Sequence, residues 1–229
     1  MLKKWQELPI ELQHECIAPY YKALKKKRLT LIFKRLFDIL FSFILLILTS
    51  PFFLVLSIVI VIDSHGAPFY LQERVTQYGK KFRIIKFRTM VKNAAKMGSE
   101  VTVSDDPRIT KTGKFIRRFR IDEVPQLINI VLGQMTFVGT RPEVPRYVEG
   151  YTAEMLATLL LPAGVTSRAS IEYSNEQELL DGSTDIDKTY VEEILPEKMK
   201  YNLAYLQNFS CKEDFLIIFL TVKKVFFEG

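Results

Sequence analysis

The most prominent pattern along the chain is an apolar run from Phe37 to Ile62, in which only Asp38 carries a charge. As one α-helix this run would be about 39 Å long, at about 1.5 Å per residue. That length exceeds the hydrocarbon core of a bilayer, which is about 30 Å thick. The preceding stretch KKKRLTLIFKRLF is too basic, and too far from the N-terminus, for an ordinary signal peptide. The pattern therefore predicts a membrane helix that is kept in the mature protein.

Ser50 and Pro51 interrupt this run near its middle. Pro51 is expected to kink or break the helix, and the Ser50 hydroxyl can bond a carbonyl that the proline leaves free. Each half would then be roughly 20 Å long, too short to cross a bilayer alone. Both flanks are basic, and the positive-inside rule keeps both in the cytoplasm. A hairpin within one leaflet satisfies these conditions, and a kinked helix that spans the membrane is the alternative.

Shorter patterns follow the apolar run. Phe69 to Val75 and Lys81 to Phe87 have the composition of short strands, and the turn between them contains Gly79, which predicts a small β-hairpin. Ile121 to Leu132 predicts a helix that is closed by Gly133. No Gly/Ser linker divides the part after the apolar run, so we interpret it as one domain.

Both ends of the chain combine apolar with basic residues. The last stretch, DFLIIFLTVKKVFFEG, is too short and too basic to span a bilayer and predicts a helix lying in the membrane interface. A terminal helix packed on the core is the alternative. Residues 1–33 mix basic with aromatic and aliphatic residues, which suits the lipid headgroup region. For this segment the alternative is a solvated tether.

Composition and charge narrow the function. With 229 residues, 48% hydrophobic and 25% charged, the chain is long enough for one folded domain plus a membrane element. The net charge of +6 is uneven, because residues 63–120 hold 14 Lys and Arg against 5 acids, whereas residues 121–229 hold 9 against 17. Two distant cysteines and two histidines outside ligand spacing argue against a disulfide framework and a transition-metal site. A reducing, cytosolic setting and a hard, oxygen-bound metal fit this composition.

Two adjacent carboxylates, Asp122 and Glu123, follow the arginines Arg117, Arg118 and Arg120. At the start of a helix, Asp122 fits the role of an N-cap. Alternatively, the arginines keep the carboxylates ionised and bind a polyanion. Chemistry on a diphosphate needs cations for the phosphates, a carboxylate that attacks or binds metal, and often Mg²⁺. The residues alone leave both interpretations open.

An ordered set of motifs resembles the bacterial sugar transferase family, the small monotopic phosphoglycosyl transferases that begin glycan assembly on polyprenyl phosphate. The resemblance covers most of the chain from about Lys34 onward and leaves the N-terminal segment outside it. The motifs are, in order, Ser50-Pro51, QERV (Gln72 to Val75), KFRTM (Lys86 to Met90), DDPRIT (Asp105 to Thr110), G.F.RR (Gly113 to Arg118), DEVPQLINI (Asp122 to Ile130) and FVGTRPEVP (Phe137 to Pro145).

The resemblance implies transfer of a phosphosugar from a UDP-sugar to undecaprenyl phosphate with release of UMP, as the first membrane step of surface glycan assembly. It implies that Asp122 is the nucleophile that forms a covalent aspartyl phosphosugar, and that Glu123 assists metal placement or activates the lipid phosphate. Mg²⁺ is the implied cofactor, with Asp122 as its protein ligand. The implied substrate-binding residues are Lys86, Arg88, Arg118, Arg141 and Pro142.

The resemblance also implies that Ser50-Pro51 bends a re-entrant helix, which favours the hairpin. We therefore expect an α+β fold, mostly helical, with a re-entrant helix-break-helix, a small β-hairpin and interfacial amphipathic helices. Its parts are an N-terminal interfacial segment (1–33), the membrane helix (34–62) and a catalytic domain (63–229). The expected location is the cytoplasmic face of the bacterial inner or plasma membrane, as a monotopic protein. A homodimer is one assembly that we consider.

The chain departs from the family at one position. Many members have Gly-Pro-Arg-Pro where this chain has Gly139-Thr140-Arg141-Pro142, so we expect a less rigid loop. The later stretch LLPAGVTSRASIEYSNEQELLDG resembles the family more loosely, and we expect sugar selection there.

A non-catalytic, membrane-anchored basic module that binds anionic lipid or nucleic acid is the alternative function. The ordered Asp-Glu and Arg-Pro motifs argue against it, and lipid and nucleotide phosphates explain the positive charge equally well. The expected partners are therefore a UDP-sugar, undecaprenyl phosphate and membrane lipid, without nucleic acid.

Overall fold

The computed structural model describes residues 2–94, 97, 106–181, 183 and 185–227, and Asp105 of the DDPRIT motif lies outside them. The described chain is mostly helical with small sheets, which confirms the expected α+β class. The strands are β1 (Phe69–Val75), β2 (Lys81–Phe87), β3 (Met135–Val138) and β4 (Ala163–Thr166). The helices are α1 (Ala18–Lys26), α2 (Arg28–Ser64), α3 (Lys111–Arg118), α4 (Gln126–Val131), α5 (Pro145–Val148), α6 (Arg168–Glu172), α7 (Glu176–Leu180), α8 (Ile186–Thr189), α9 (Leu195–Asn208) and α10 (Cys211–Phe227).

Helix α2 contains the apolar run and continues through Pro51 as one helix of 37 residues. The expected break at Ser50-Pro51 is therefore wrong at the level of secondary structure. The expected role of Ser50 is confirmed, because its hydroxyl donates to the Ile47 carbonyl at 2.8 Å. That carbonyl is the one to which residue 51 would donate if it were not proline. Ser50 thus supplies the donor that Pro51 lacks, and the helix continues.

One face of α2 contacts the rest of the protein along both halves of the helix. In the first half, Arg35 donates to the Ile130 carbonyl at 2.8 Å; near the other end, Asp63 accepts from the Thr112 amide at 2.9 Å. By length and composition alone, α2 could cross a membrane. The residues of this contacting face include Lys34, Arg35, Asp38, Leu45, Leu46, Phe53, Leu56, Ile60 and Asp63.

The antiparallel hairpin of β1 and β2 has the predicted boundaries, so that prediction is confirmed. The turn between the strands has positive φ at Tyr78 and Gly79. On β2, Phe82 and Ile84 belong to a core cluster with α4, whereas Phe87 packs against the second half of α2. The hairpin therefore lies between the long helix and the turn that carries the carboxylates.

A second sheet, which the sequence patterns did not predict, pairs β3 with β4 in parallel. Its backbones approach closely just after β3. A Cβ atom at Gly164 would lie 2.2 Å from the amide nitrogen and carbonyl oxygen of Gly139. Both positions, 139 and 164, therefore require glycine. The Gly139 amide donates to the Thr166 carbonyl at 3.0 Å. This sheet fixes the start of the loop formed by residues 139–142, the GTRP loop.

The N-terminal segment packs on the domain through its apolar residues. Tyr20 donates to the Glu154 carboxylate at 2.6 Å, and the Lys27 ammonium donates to the Phe209 carbonyl at 2.6 Å. Contact of this segment with lipid headgroups stays a prediction. Its buried core residues are Leu8, Leu12, Ile17, Tyr20, Tyr21 and Leu24, which share a cluster with Val138, Leu160, Leu206 and Phe209.

Helix α10 combines a packed face with an exposed apolar face. Ile217 is fully buried, and Asp214 accepts from both Lys34 at 2.8 Å and Tyr205 at 2.6 Å. The other face exposes Phe215, Phe219 and Phe226. An exposed apolar face is typical of a helix at a lipid surface, so the interfacial position remains our prediction.

Candidate active site

Asp122 and Glu123 lie in a short turn of 3₁₀ helix, Ile121–Glu123. Arg120 precedes this turn in the left-handed conformation, with φ of 51°. The predicted single helix from Ile121 to Leu132 is therefore wrong in its first part, because α4 begins only at Gln126. Its predicted closure at Gly133 is confirmed by the positive φ of 83° there. Since neither the turn nor α4 has Asp122 as its N-cap, the capping interpretation is not supported.

Glu123 is enclosed by positive charge. Arg141 donates to both of its carboxylate oxygens, at 2.5 and 3.1 Å. The Lys86 ammonium is 4.0 Å away and the Arg120 guanidinium 3.9 Å away. Burial alone would raise the pKa of Glu123, but the charge and hydrogen bonds of Arg141, together with Lys86 and Arg120, hold it well below its usual range. Glu123 is therefore a fixed negative charge and a weak base.

Asp122 is buried, with 9% of its surface exposed, and accepts no hydrogen bond from any described residue. Burial and the negative charge of Glu123 raise the pKa of Asp122 to about 6, although nearby Lys86, Arg117 and Arg141 act in the opposite direction. A carboxylate that has cations nearby but no bonded partner keeps its lone pairs available for a ligand. The two adjacent acids thus have different chemical states.

Strand alternation places Lys86 at this site. It follows Phe82 and Ile84 on the face of β2 that packs toward α4, and its ammonium lies where that apolar face meets the carboxylates. Burial lowers the pKa of Lys86 to about 8, and the attraction of Glu123 offsets part of the shift. Lys86 remains largely protonated at neutral pH, so it contributes positive charge.

Arg141 is held by the second sheet. The Gly164 amide donates to the Thr140 carbonyl at 2.8 Å, and the Arg141 guanidinium donates to the Val165 carbonyl at 2.7 Å. With the two bonds to Glu123, three of its five N–H groups have partners in the described chain. Two N–H groups remain available to a ligand.

A buried polar network supports the loop after Arg141. The Arg74 guanidinium donates to the Pro142 carbonyl at 3.2 Å. Tyr190 donates to the Glu143 carboxylate at 2.6 Å and accepts from the Lys198 ammonium at 3.0 Å. The loop is thereby tied to β1 and α9, so it is firmly supported although Thr140 replaces the proline expected before Arg141.

The other predicted cations contact groups outside the carboxylate turn. Arg88 donates to the Ala67 carbonyl at 2.7 Å, and Arg118 is exposed and stacks over Phe119 at 5.6 Å. Among the three arginines before the turn, Arg117 rather than Arg118 acts on the charge of Asp122. The sequence could have indicated Arg117, because at helical spacing it shares one face of α3 with Gly113 and Ile116, which are buried.

Two further polar groups close in sequence to the site residues were not among the predicted site residues. The amide of Gln126, which is 1% exposed, and the Thr140 hydroxyl have no hydrogen-bond partner in the described part of the chain. An unpaired buried polar group destabilises a fold by about 1–3 kcal/mol. Gln126 lies one turn after Asp122 in the sequence, and we regard its amide as a candidate ligand contact.

The site offers limited ligands for a metal. Among the described residues there is no cluster of three or more His, Cys, Asp or Glu side chains. The oxygens of Glu123 are bonded to Arg141, which leaves Asp122 as the free carboxylate of the pair. Mg²⁺ is commonly held by one or two carboxylates, substrate phosphates and waters, so this donor set fits Mg²⁺ bound together with a diphosphate.

Comparison with known proteins relates this site to a family. A family model described as bacterial sugar transferase matches residues 29–228. A UDP-N-acetylgalactosamine-undecaprenyl-phosphate N-acetylgalactosaminephosphotransferase of Aeromonas hydrophila is 32% identical over 84% of this chain and 43% of its own length. A UDP-glucose:undecaprenyl-phosphate glucose-1-phosphate transferase of Klebsiella pneumoniae is 34% identical over 86% of this chain and 41% of its own length. The exopolysaccharide production protein ExoY of Sinorhizobium fredii is 31% identical over 84% of both chains. The chain thus spans less than half the length of the first two relatives.

Proposed function

Because the chain belongs to the bacterial sugar transferase family, we propose that it transfers a phosphosugar from a UDP-sugar to undecaprenyl phosphate and releases UMP. The observation that carries this proposal is the contrast between Asp122 and Glu123. Asp122 is buried beside cations without a bonded partner, whereas Glu123 is bound on both oxygens by Arg141. A free carboxylate within a cationic site suits attack on a diphosphate.

In the first step, a carboxylate oxygen of Asp122 attacks the β-phosphorus of the UDP-sugar. The bond between this phosphorus and the bridging oxygen breaks, and UMP leaves with that oxygen and its electron pair. Lys86, Arg117 and Arg141 stabilise the negative charge that develops on the phosphate oxygens. The product is an aspartyl phosphosugar and free UMP.

In the second step, a phosphate oxygen of the lipid acceptor attacks the same phosphorus. The bond from phosphorus to the Asp122 oxygen breaks, which restores the carboxylate and gives a polyprenyl diphosphate sugar. Glu123 is a weak base because its pKa is held low. We therefore assign Glu123 the positioning of Arg141 and Lys86 rather than proton transfer.

Asp122 would hold Mg²⁺ together with the diphosphate, and the ion would neutralise phosphate oxygens. This assignment rests on the free carboxylate of Asp122. The two remaining N–H groups of Arg141, and Lys86, are the cations that we assign to the donor phosphates.

We further propose that α2 is re-entrant and that the protein is monotopic on the cytoplasmic face. Contacts at Leu46 and Phe53 leave residues 47–52 between them, about 9 Å of helix. A hydrocarbon core is about 30 Å thick, so a helix attached to one domain along both halves is poorly suited to span it. These contacts support a re-entrant position for α2, as one helix that continues through Pro51.

The test is the reaction without a lipid acceptor. With the cognate UDP-sugar and Mg²⁺, wild type should release UMP in at most one turnover and gain the mass of a phosphosugar on Asp122. Asp122→Asn should form no adduct, while Glu123→Gln should form it more slowly because Arg141 is held less firmly. An adduct on another residue, or one that persists in Asp122→Asn, would refute the assignment. If wild type forms none and turns over only with both substrates, direct transfer replaces the covalent mechanism.

A further inference from the structure

An apolar cavity of about 250 Å³ lies directly beside the carboxylate turn. Its polar end is formed by Glu123 and Arg120. Within its walls the Thr166 and Thr221 hydroxyls bond each other at 2.8 Å, so they present little unsatisfied polarity. The apolar walls include Leu45 of α2, Leu127 of α4, Phe137 of β3, and Val222, Val225 and Phe226 of α10.

Arg120 favours an anionic group at the polar end, because Glu123 is already paired with Arg141. The Arg120 side chain is about one-third exposed, and it approaches Glu123 only to 3.9 Å, which is longer than a hydrogen bond. Its guanidinium therefore retains donors for a phosphate. The left-handed backbone of Arg120 is uncommon for a residue with a side chain and lies immediately before the catalytic turn.

Part of the cavity wall belongs to α2 and α10, the two helices with exposed apolar faces. Leu48 of α2 and Phe219 of α10 lie on these faces, outside the cavity. A lipid chain could thus pass from the membrane into the cavity without crossing a polar surface. A sugar suits this space poorly, because its hydroxyls would lose hydrogen bonds to water against apolar walls.

We propose that this cavity binds the reacting end of the polyprenyl phosphate, with the first isoprene units against its apolar walls and the phosphate on Arg120. The inference rests on the proposed function and adds a location for its acceptor. The volume is slightly below the range of about 300–1,000 Å³ typical of drug-sized pockets. It therefore holds only the start of a long chain, and the remainder lies along the exposed faces of α2 and α10.

The first experiment maps the acceptor on the full-length wild-type protein in nanodiscs. A polyprenyl phosphate with a photoreactive diazirine on its first isoprene unit should label residues of the cavity, such as Phe137 or Val225. Undecaprenyl phosphate should compete with labelling at least tenfold better than undecaprenol, because the alcohol lacks the charge that Arg120 binds. Labelling confined to other sites would overturn the proposal, and equal competition by any phospholipid would identify a general acyl-chain site instead.

The second experiment fills the cavity. Val225→Trp should raise the KM for the polyprenyl phosphate at least tenfold, because the indole occupies the space of the isoprene unit. Leu71→Trp is the control for the added bulk, since Leu71 is exposed on β1, outside the cavity and outside α2 and α10, and its KM should stay within twofold of wild type. An unchanged KM in Val225→Trp would overturn the inference.

The two levels of the proposal fail in different ways. UMP release without acceptor is measured on every variant, so that loss of donor chemistry is recognised separately. If wild type transfers phosphosugar but the label lies outside the cavity, the location is wrong and the function stands. If wild type transfers nothing to polyprenyl phosphate although the label lies in the cavity, the function is wrong and the lipid site stands.

Discussion

Two neighbouring acids, Asp122 and Glu123, receive opposite electrostatic surroundings because they point to different partners in the fold. Glu123 meets Arg141, which is presented by the loop after β3 and fixed by β4. Asp122 meets cations without bonding to them, so burial dominates its ionisation. A pair of titratable groups whose environments separate their pKa values is a common arrangement in active sites.

The raised pKa of Asp122 leads to a prediction about stability. Its folded pKa of about 6 is above the unfolded value of 3.8, so ionised Asp122 destabilises the fold above pH 6 by up to about 3 kcal/mol. Asp122→Asn should therefore melt several degrees higher than wild type at pH 8. The difference should shrink as the pH falls below 6 and should vanish only below the unfolded pKa of 3.8, where wild-type Asp122 becomes protonated in both states. Thermal melts across this range provide the measurement, and a constant difference would contradict the assigned pKa.

The ion pair of Arg141 and Glu123 is open to a double-mutant cycle. Arg141→Ala and Glu123→Ala should each destabilise the protein by about 3–5 kcal/mol, because each leaves a buried charge without its partner. The double variant should lose less than the sum, with a coupling energy of about 0.5–3 kcal/mol. Arg118→Ala is the control for an exposed arginine and should change stability by about 0.5 kcal/mol or less. Additive losses would mean that the pair does not form in solution.

The sequence identified the acids of the site better than its cations. Asp122 and Glu123 are adjacent, so their proximity requires no fold. Lys86 lies on β2 and Arg141 on the loop after β3, and their meeting at Glu123 depends on tertiary packing that residue spacing does not report. The choice of Arg118 over Arg117 neglected the helical period, which places Arg117 on the buried face of α3.

At the scale of elements, Ser50 and Pro51 act together in α2. Ser50→Ala should destabilise the protein by about 1–3 kcal/mol, because the Ile47 carbonyl then lacks a donor in apolar surroundings. In a Pro51→Ala background the same change should be nearly neutral, because the alanine amide restores the missing donor. Thermal unfolding in nanodiscs gives both values.

Thr49→Ala is the matched control for this pair. The Thr49 hydroxyl also bonds a helix carbonyl, that of Leu45 at 2.7 Å, but the amide of Thr49 can serve that carbonyl too. Loss of the Thr49 hydroxyl should change stability by the same amount with Pro51 present and in the Pro51→Ala background. If Ser50→Ala is equally harmful with and without Pro51, the hydroxyl does not compensate for the proline.

The sequence patterns predicted those elements whose contacts lie close together in the sequence. The β1–β2 hairpin has its predicted boundaries because composition and a glycine turn lie within one short stretch. The β3–β4 pair escaped prediction because its four-residue strands are parallel and far apart in sequence, so only tertiary packing brings them together. The helix at Ile121 was predicted too early because the chain first forms the 3₁₀ turn Ile121–Glu123, and α4 begins only after Pro125.

At the scale of the whole molecule, the re-entrant arrangement predicts that both flanks of α2 face the cytoplasm. Lys4 and Lys81, which precede and follow α2, are both well exposed. As single cysteines in a Cys16→Ser/Cys211→Ser background, both should resist a membrane-impermeant maleimide in spheroplasts and react after lysis. Labelling of one position from outside would show that α2 spans.

The ion pair between Lys34 and Asp214 also has a consequence for synthesis. The two residues are 180 positions apart, and their side chains are 7% and 11% exposed once the fold is complete. A ribosome adds about 5–20 residues per second, so Asp214 is synthesised roughly 10–40 s after Lys34. During this interval α2 reaches the bilayer with Lys34 beside Asp38 but without its partner Asp214. Helix α10 is thus the element that allows α2 to settle, and this part of the core cannot close until α10 has been made.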